Sequence, residues 1–343
     1  MKRKIRWGVI GSGGIARRRT IPEGILKAGN AELAAVCGRD AKKNEETAKE
    51  FGAKAARTIE ELLKLDIDAV YVGTPVNQHV EQTRLAAAAG KHVFCEKPLG
   101  LTVPEAEAMI AACRKAKVNL GTAFMMRFHS QHRAAKKLIT DGRIGKPVFG
   151  RAQLSFFYPP IPGAWRQNLA EGGGGALIDL AGHCLDVLEM CFGSNVTSVS
   201  CMTNRTIQAY ETEDSAVTLA RFANGALATV DTFFCVADHA SKNRLELYGS
   251  TGGILAEGTI GQGAAGEMTA HLKDGSAKKI APIPVNLYRA EIEDFSRALL
   301  DGGDTTASAE AGLHNQRLLA ACYESAKTGR EISMTARPKR AKR

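Results

Sequence analysis

No apolar run in the chain approaches the ~20 residues that a helix needs to cross a bilayer, so a membrane span is not expected. None of the eight cysteines stands in a C-x-x-C pair, and most lie in apolar stretches. That excludes the usual spacing of a zinc or disulfide framework. Thiols so placed read as small buried hydrophobes in a reducing compartment, and no metal site is expected. The basic start Met1-Lys2-Arg3-Lys4 precedes an apolar run too short and too glycine-rich for a signal peptide, so the expected location is the cytoplasm. Internal repeats are missing, and no segment before the C-terminus is of low complexity. A clustered basic stripe is missing as well. The formal net charge is +10, but Arg337, Lys339, Arg340, Lys342 and Arg343 carry five of those charges at the extreme C-terminus. The remaining body is mildly basic, which suits an anionic cofactor better than a duplex. Nucleic acid is therefore not an expected partner, and 333–343 is expected to be a flexible, solvated basic tail.

What is present is a chain of 343 residues, 44% of them apolar, enough to bury the cores of about two domains. Ile5-Arg6-Trp7-Gly8-Val9-Ile10 has the length and apolar character of a strand. It runs into Gly11-Ser12-Gly13-Gly14-Ile15-Ala16, a G-x-G-x-x-A turn, and then into a stretch expected to be helical toward Gly29, bent or restarted at Pro22. In such a unit the first glycine permits the tight turn and the second lets backbone approach a pyrophosphate. The small residue at the third position lets helix and strand pack closely, and the helix N-terminus faces the phosphates with free N–H groups. Gly11, Gly13, Gly14, Ile15 and Ala16 are the expected cradle of a dinucleotide.

The second strand, Glu32 to Cys37, ends without the acidic residue that usually holds the ribose 2′-hydroxyl of NAD. Instead come Gly38-Arg39-Asp40, with Lys42 and Lys43 a turn later. Gly38 removes a carboxylate that would repel a 2′-phosphate, and Arg39 offers a planar cation to grip one, with Lys43 adding charge. NADP is favoured over NAD. Asp40 leaves NAD open, since it either takes the ribose or caps the helix that starts near Ala41.

Helices and strands then alternate as far as Asn119–Ala123, implying a parallel sheet with right-handed crossovers and a ligand beyond the strand C-termini. Expected there are helices 59–65, 77–89 and 104–116. Three strand ends are polar in that way: Thr74-Pro75, Glu96-Lys97-Pro98 and Met125-Met126-Arg127. From about Phe149 strands follow one another without helices, and Asn224-Gly225 marks a hairpin, so a second, largely antiparallel sheet is expected. Helices over about 287–300 and 308–328 close the chain. Before that sheet stand four glycines, Gly172 to Gly175, which let backbone come close to a ligand. The helix they open sets Asp179 and His183 four residues apart on one face. A carboxylate one turn from an imidazole can fix its tautomer and raise its basicity, as general acid/base work requires.

Taken together these residues resemble the glucose–fructose oxidoreductase / inositol dehydrogenase / rhizopine-catabolism (Gfo/Idh/MocA) family over nearly the whole chain. The likeness rests on Arg6-Trp7-Gly8-Val9-Ile10-Gly11, Thr74-Pro75-Val76-Asn77-Gln78-His79, Glu96-Lys97-Pro98, Trp165-Arg166, Gly173-Gly174-Gly175…Asp179…His183 and a final helix ending Lys327-Thr328-Gly329-Arg330. The resemblance implies an α/β chain: a Rossmann domain over 1–124 and, over 125–332, an α+β domain with an open, mostly antiparallel sheet. One face of that sheet would join subunits into a homodimer or homotetramer. It implies that Thr74, Pro75, Asn77, His79 and Glu96 meet the cofactor, that Lys97 reaches both nicotinamide and substrate hydroxyl, and that His183 exchanges the proton with support from Asp179. His183 departs from the glucose–fructose branch, which carries tyrosine there. Arg6-Trp7-Gly8 and Gly38-Arg39 are more like the NADP-using reductases of the family.

The expected reaction is hydride transfer between NADP(H) and a hydroxyl or carbonyl carbon of a sugar, polyol or related molecule. Lys97 beside a cationic nicotinamide would have its charged form disfavoured, which helps proton exchange. Trp165 offers a flat face to a sugar ring, and Arg127 and Arg166 can donate to its oxygens. Specificity is expected from 157–170 and from Asp238-His239. Two other classes share these motifs: a redox-neutral hydrolase or epimerase working on retained cofactor, and a non-catalytic sensor.

Overall fold

The computed structural model describes residues 3–334. Residues 335–343, and with them the five terminal cations, lie outside the described residues. Ser333, expected in the tail, belongs to a short strand.

The first half is a parallel sheet of six strands: β1 (Ile5–Ile10), β2 (Ala31–Cys37), β3 (Lys54–Ala55), β4 (Ala69–Val72), β5 (His92–Glu96) and β6 (Leu120–Ala123). Its order is β3-β2-β1-β4-β5-β6. Helices α1 (Ala41–Phe51), α2 (Ile59–Lys64), α3 (His79–Ala88) and α4 (Val103–Ala116) make crossovers between these strands. Every residue of β4 is buried, as expected for a strand covered on both faces. Short polar side chains start the helices: Asp40, Thr58 and Thr102 each accept a backbone N–H of the first turn of α1, α2 and α4, contributing about 1 kcal/mol apiece. The strand order reverses between β1 and β4, and a crevice opens beyond their C-terminal ends at such a switch point.

Two local expectations are corrected. The helix after the glycine turn is a π-helix, Ala16–Ile25, with Pro22 inside it. Its wider turn tolerates the missing N–H of Pro22 and turns Thr20, Ile21, Gly24 and Ile25 inward. The helix expected from Asn77 begins with a separate 3₁₀ turn, Val76–Gln78, before α3.

The second sheet has nine strands: β7 (Pro147–Ser155), β8 (Val196–Asn204), β9 (Ser215–Phe222), β10 (Leu227–Phe233), β11 (Arg244–Gly249), β12 (Gly252–Glu257), β13 (Glu267–His271), β14 (Ala277–Lys279) and β15 (Ile332–Ser333). They are ordered β14-β13-β12-β11-β7-β10-β9-β8-β15, and all pairs are antiparallel except β7 with β10. Sequence reading overlooked β12 to β14 and also α5 (Ser130–Thr140), whose few apolar residues hide its period. The short α6 (Leu169–Gly172) and the buried α7 (Gly182–Phe192) follow β7 in sequence, and α7 covers one face of the sheet.

The last helices, α8 (Leu287–Asp301) and α9 (Ala309–Thr328), return to the first sheet. Ile292 and Phe295 of α8 share a core with Trp7, and the Phe295 ring lies 5.0 Å from Phe94 and 5.8 Å from Trp7. Trp7 Nε1 donates to Ser296 Oγ at 3.2 Å. The C-terminal segment thus completes the core of the N-terminal half and sets its own residues at the edge of the crevice. Among the described residues no helix is long and apolar enough to cross a membrane.

Candidate active site

A cavity of about 560 Å³ opens at the switch point. Its walls come from the glycine turn (Gly14, Ile15), the end of β4 (Gly73, Thr74), the end of β5 (Glu96, Lys97), the segment before and at the start of α7 (Asp179, His183), and α8 (Tyr288, Glu291).

The turn itself is made by backbone. Gly11 has φ +107°, and a Cβ there would stand 2.7 Å from the Gly73 carbonyl oxygen, so only glycine lets β1 and β4 approach this closely. Its N–H donates to Cys37 O at 2.7 Å. Gly13 and Gly14 have nothing within 4 Å of the side-chain position, so this backbone lies open. Thr74 Oγ1 donates to Gln82, and the buried His79 sits between the carbonyls of Thr74 and Pro98, each 3.0 Å from a ring nitrogen. His79 braces the β4 and β5 ends against each other; Asn77 is exposed on its turn beyond Pro75. Asp40 Oδ1 accepts from Lys43 N at 3.2 Å, so its carboxylate is spent on the cap of α1. Arg39 is exposed and makes no ion pair among the described residues, and Lys43 is only 3.9 Å from Asp40. An open glycine backbone at a strand end, a free guanidinium beyond it and an unpartnered carboxyl in the wall (Glu291) fit a dinucleotide.

At the chemical end, Asp179 is the organiser. Lys97 Nζ donates to its Oδ1 at 2.8 Å and to its carbonyl at 2.6 Å, and Arg166 Nε donates to its Oδ2 at 3.0 Å. Burial alone would raise the Asp179 carboxyl, but the Arg166 and Lys97 charges outweigh it and hold the group below the usual carboxylate range. Arg166 in turn lies over the Trp165 ring, 4.2 Å from its centroid. These contacts leave Lys97 one N–H for a ligand oxygen.

His183 lines the same cavity and is buried. Burial, then the Lys97 charge, push it well below its ordinary value, so the ring is neutral at pH 7. Its Nδ1 has no partner. The expectation that Asp179 would fix the tautomer of His183 is therefore corrected: its carboxylate oxygens accept from Lys97 and Arg166, and the Asp179 charge acts on His183 without a hydrogen bond between them. Burial also raises the Glu96 carboxyl, with the Tyr71 hydroxyl and Lys97 pulling it back.

Three further expectations are redirected. Arg127 does not line the cavity; its guanidinium forks onto Asp186 at 2.6–3.0 Å and donates to Thr306 O at 2.7 Å, a tie between structural elements. The four glycines admit the protein's own groups. A Cβ at Gly174 would collide with Tyr323 Oη and one at Gly175 with the Glu213 carbonyl, while the N–H groups of Gly175 and Leu177 both donate to Glu213 Oε1 at 2.9 Å. Asp238 accepts from Phe157 N at 2.7 Å, and it is Asn243, at φ +45°, that reaches the cavity from this region. Tyr158, from the expected 157–170 segment, lines the cavity, as do Asn243, Tyr288 and Glu291, which no sequence motif indicates. No local motif marks them, since each arrives from a distant element.

Residues 5–124 match the oxidoreductase family with an NAD-binding Rossmann fold, and residues 132–255 match the Gfo/Idh/MocA C-terminal domain. A 1,5-anhydro-D-fructose reductase of Ensifer adhaerens is 32% identical over 94% of this chain and 97% of its own length. An NADP-dependent D-xylose 1-dehydrogenase of Haloferax volcanii is 29% identical over 96% and 99%. Among solved structures, the aldose-aldose oxidoreductase of Caulobacter crescentus, complexed with glycerol, superposes with a TM-score of 0.89 over 97% of this chain and 100% of its own, at 28% identity. With its Rossmann strand order, the open second sheet and the cavity between them, the chain belongs to the Gfo/Idh/MocA family of NAD(P)-binding oxidoreductases.

Proposed function

We propose that the protein is an NADP(H)-dependent sugar or polyol oxidoreductase in which Lys97, Asp179 and His183 form the catalytic group. The carrying observation is that Lys97 and the neutral His183 face one cavity while Asp179 locks Lys97 in place. When bound, the nicotinamide supplies the acceptor or donor of a hydride. Gly11, Gly13, Gly14, Ile15 and Ala16 would receive the pyrophosphate, and Thr74, Glu96 and Lys97 would line the nicotinamide end. A substrate hydroxyl accepts the remaining N–H of Lys97, and during oxidation its proton passes to the neutral His183 as the C–H bond yields its hydride. Arg166 and Trp165 present a planar edge to the ring, beside Tyr158 and Asn243. NADP is favoured because Gly38 carries no carboxylate, Arg39 is unpaired and Asp40 is engaged as a cap. A cytoplasmic homodimer or homotetramer, joined through the outer face of the second sheet, completes the reading.

The test is the reduced-nicotinamide absorbance with a panel of sugars, polyols and their lactones or ketones, offered with NADP and with NAD in both directions. Turnover that prefers NADP and falls by about 10²-fold or more in Lys97→Ala and His183→Ala is expected. A preference for NAD would overturn the role given to Gly38 and Arg39. Retained nucleotide with no net turnover would favour a redox-neutral enzyme.

A further inference from the structure

Glu291 is a buried carboxyl, 1% exposed, in the wall of the cavity, and neither of its oxygens has a hydrogen-bond partner. It lies one turn after Tyr288 on α8, whose start is set by the Asn286 cap. The ionisable groups that face it are carboxyl and phenol: Glu96 at the end of β5, Tyr71 at β4 and Tyr288 on its own helix. No cation is among them. Burial, reinforced by the Glu96 charge, raises Glu291 well above the ordinary carboxyl range, so it is the neutral acid at pH 7.

A neutral carboxyl carries one O–H donor and one carbonyl acceptor side by side. The group that matches both at once is a primary amide, which has an N–H and a carbonyl in the same order. Leaving such a carboxyl unpaired in a wall is costly unless a ligand pairs with it. Resting on the proposed dinucleotide site, we propose that Glu291 binds the carboxamide of the nicotinamide, its O–H donating to the amide carbonyl and its own carbonyl accepting the amide N–H. Two parallel hydrogen bonds would orient the ring about its glycosidic bond and so select which of its faces meets the substrate held by Lys97 and His183.

Calorimetric titration tests this without turnover. Three ligands are used: NADP, its 3-acetylpyridine analogue, which keeps the carbonyl but lacks the amide N–H, and 2′-phospho-ADP-ribose, which lacks the nicotinamide altogether. The NAD series is run in parallel. Wild type is expected to bind the dinucleotide about tenfold more tightly than the acetylpyridine analogue. Glu291→Gln, which keeps a donor and an acceptor, retains most of that preference. Glu291→Leu loses it while binding 2′-phospho-ADP-ribose as wild type does, which also shows that the variant is folded. Preference retained in Glu291→Leu overturns the assignment and leaves the nucleotide site standing. Failure of wild type to bind any ligand of either series overturns the nucleotide site and this assignment with it.

Discussion

Asp179 holds two part-buried cations with one carboxylate, and the consequences of losing it differ from those of losing a proton carrier. Asp179→Asn keeps the shape but leaves Lys97 and Arg166 without their counter-charge in a site where each is largely buried. We expect kcat to fall by about 10²-fold with cofactor affinity little changed, as read by steady-state kinetics beside a binding titration. His183 makes a separate prediction. Its proton affinity lies well below the ordinary value, so the imidazole is available as an acceptor throughout the neutral range. The acid limb of kcat/KM for alcohol oxidation should therefore lie below about pH 6.5, the ordinary histidine value, and should disappear in His183→Ala. A limb centred at or above that value would mean that another group accepts the proton. Lys97, Asp179 and His183 were legible in sequence as residue types at telling places. Which of them pairs with which was not, because Lys97 and Arg166 reach Asp179 from separate elements.

At the scale of elements, the glycine run before α7 is a packing device. Gly174→Ala sets a methyl against the Tyr323 hydroxyl, and the variant should lose about 1–3 kcal/mol of stability in denaturant unfolding. Tyr323→Phe removes that oxygen and should restore part of the loss, although it also gives up the hydrogen bond to Glu213 at 2.9 Å. Helix α5 carries a second device. His132 is fully buried beside His129, their rings stacked 4.5 Å apart, and burial with the His129 neighbour pushes His132 down to about 3. The folded state keeps this ring neutral, whereas the unfolded chain protonates it near pH 6.5. The His132 contribution is thus full above pH 6.5 and is lost as the pH drops toward 3, by an amount on the order of 5 kcal/mol. Thermal melts across this range should show the decline, and His132→Leu should flatten it.

For the whole molecule, the second sheet is finished on one side only. Its inner face is sealed by α7, while Met202, Val217, Leu219, Leu227, Tyr248 and Leu255 stand exposed on the other, Met202 at 81% and Leu219 at 55%. The pairing of β8 with β9 and of β9 with β10 sets the first four on one continuous surface. An apolar patch of this kind is the surface through which the proposed assembly would form. Sedimentation should show a dimer or tetramer for the native chain, and Leu219→Lys with Met202→Asp should yield monomers. A monomeric native protein would sink the proposed assembly.

The sequence by itself determined the first sheet, the place of the nucleotide turn and the residue types at the strand ends. Those features are written in local code: apolar runs of strand length, a glycine spacing, capping side chains, alternation of elements. It also carried part of the second sheet, as a run of strands without intervening helices and the Asn224-Gly225 turn. Tertiary structure alone decided how the cavity is closed. Helix α8 folds back nearly two hundred residues in sequence to set Tyr288 and Glu291 opposite Glu96, and Asn243 reaches the cavity only through a left-handed backbone that no composition reveals. It likewise decided that Arg127 serves Asp186 and that Asp179 serves Lys97, since the partner of a buried charge depends on which charges the fold brings within hydrogen-bond distance.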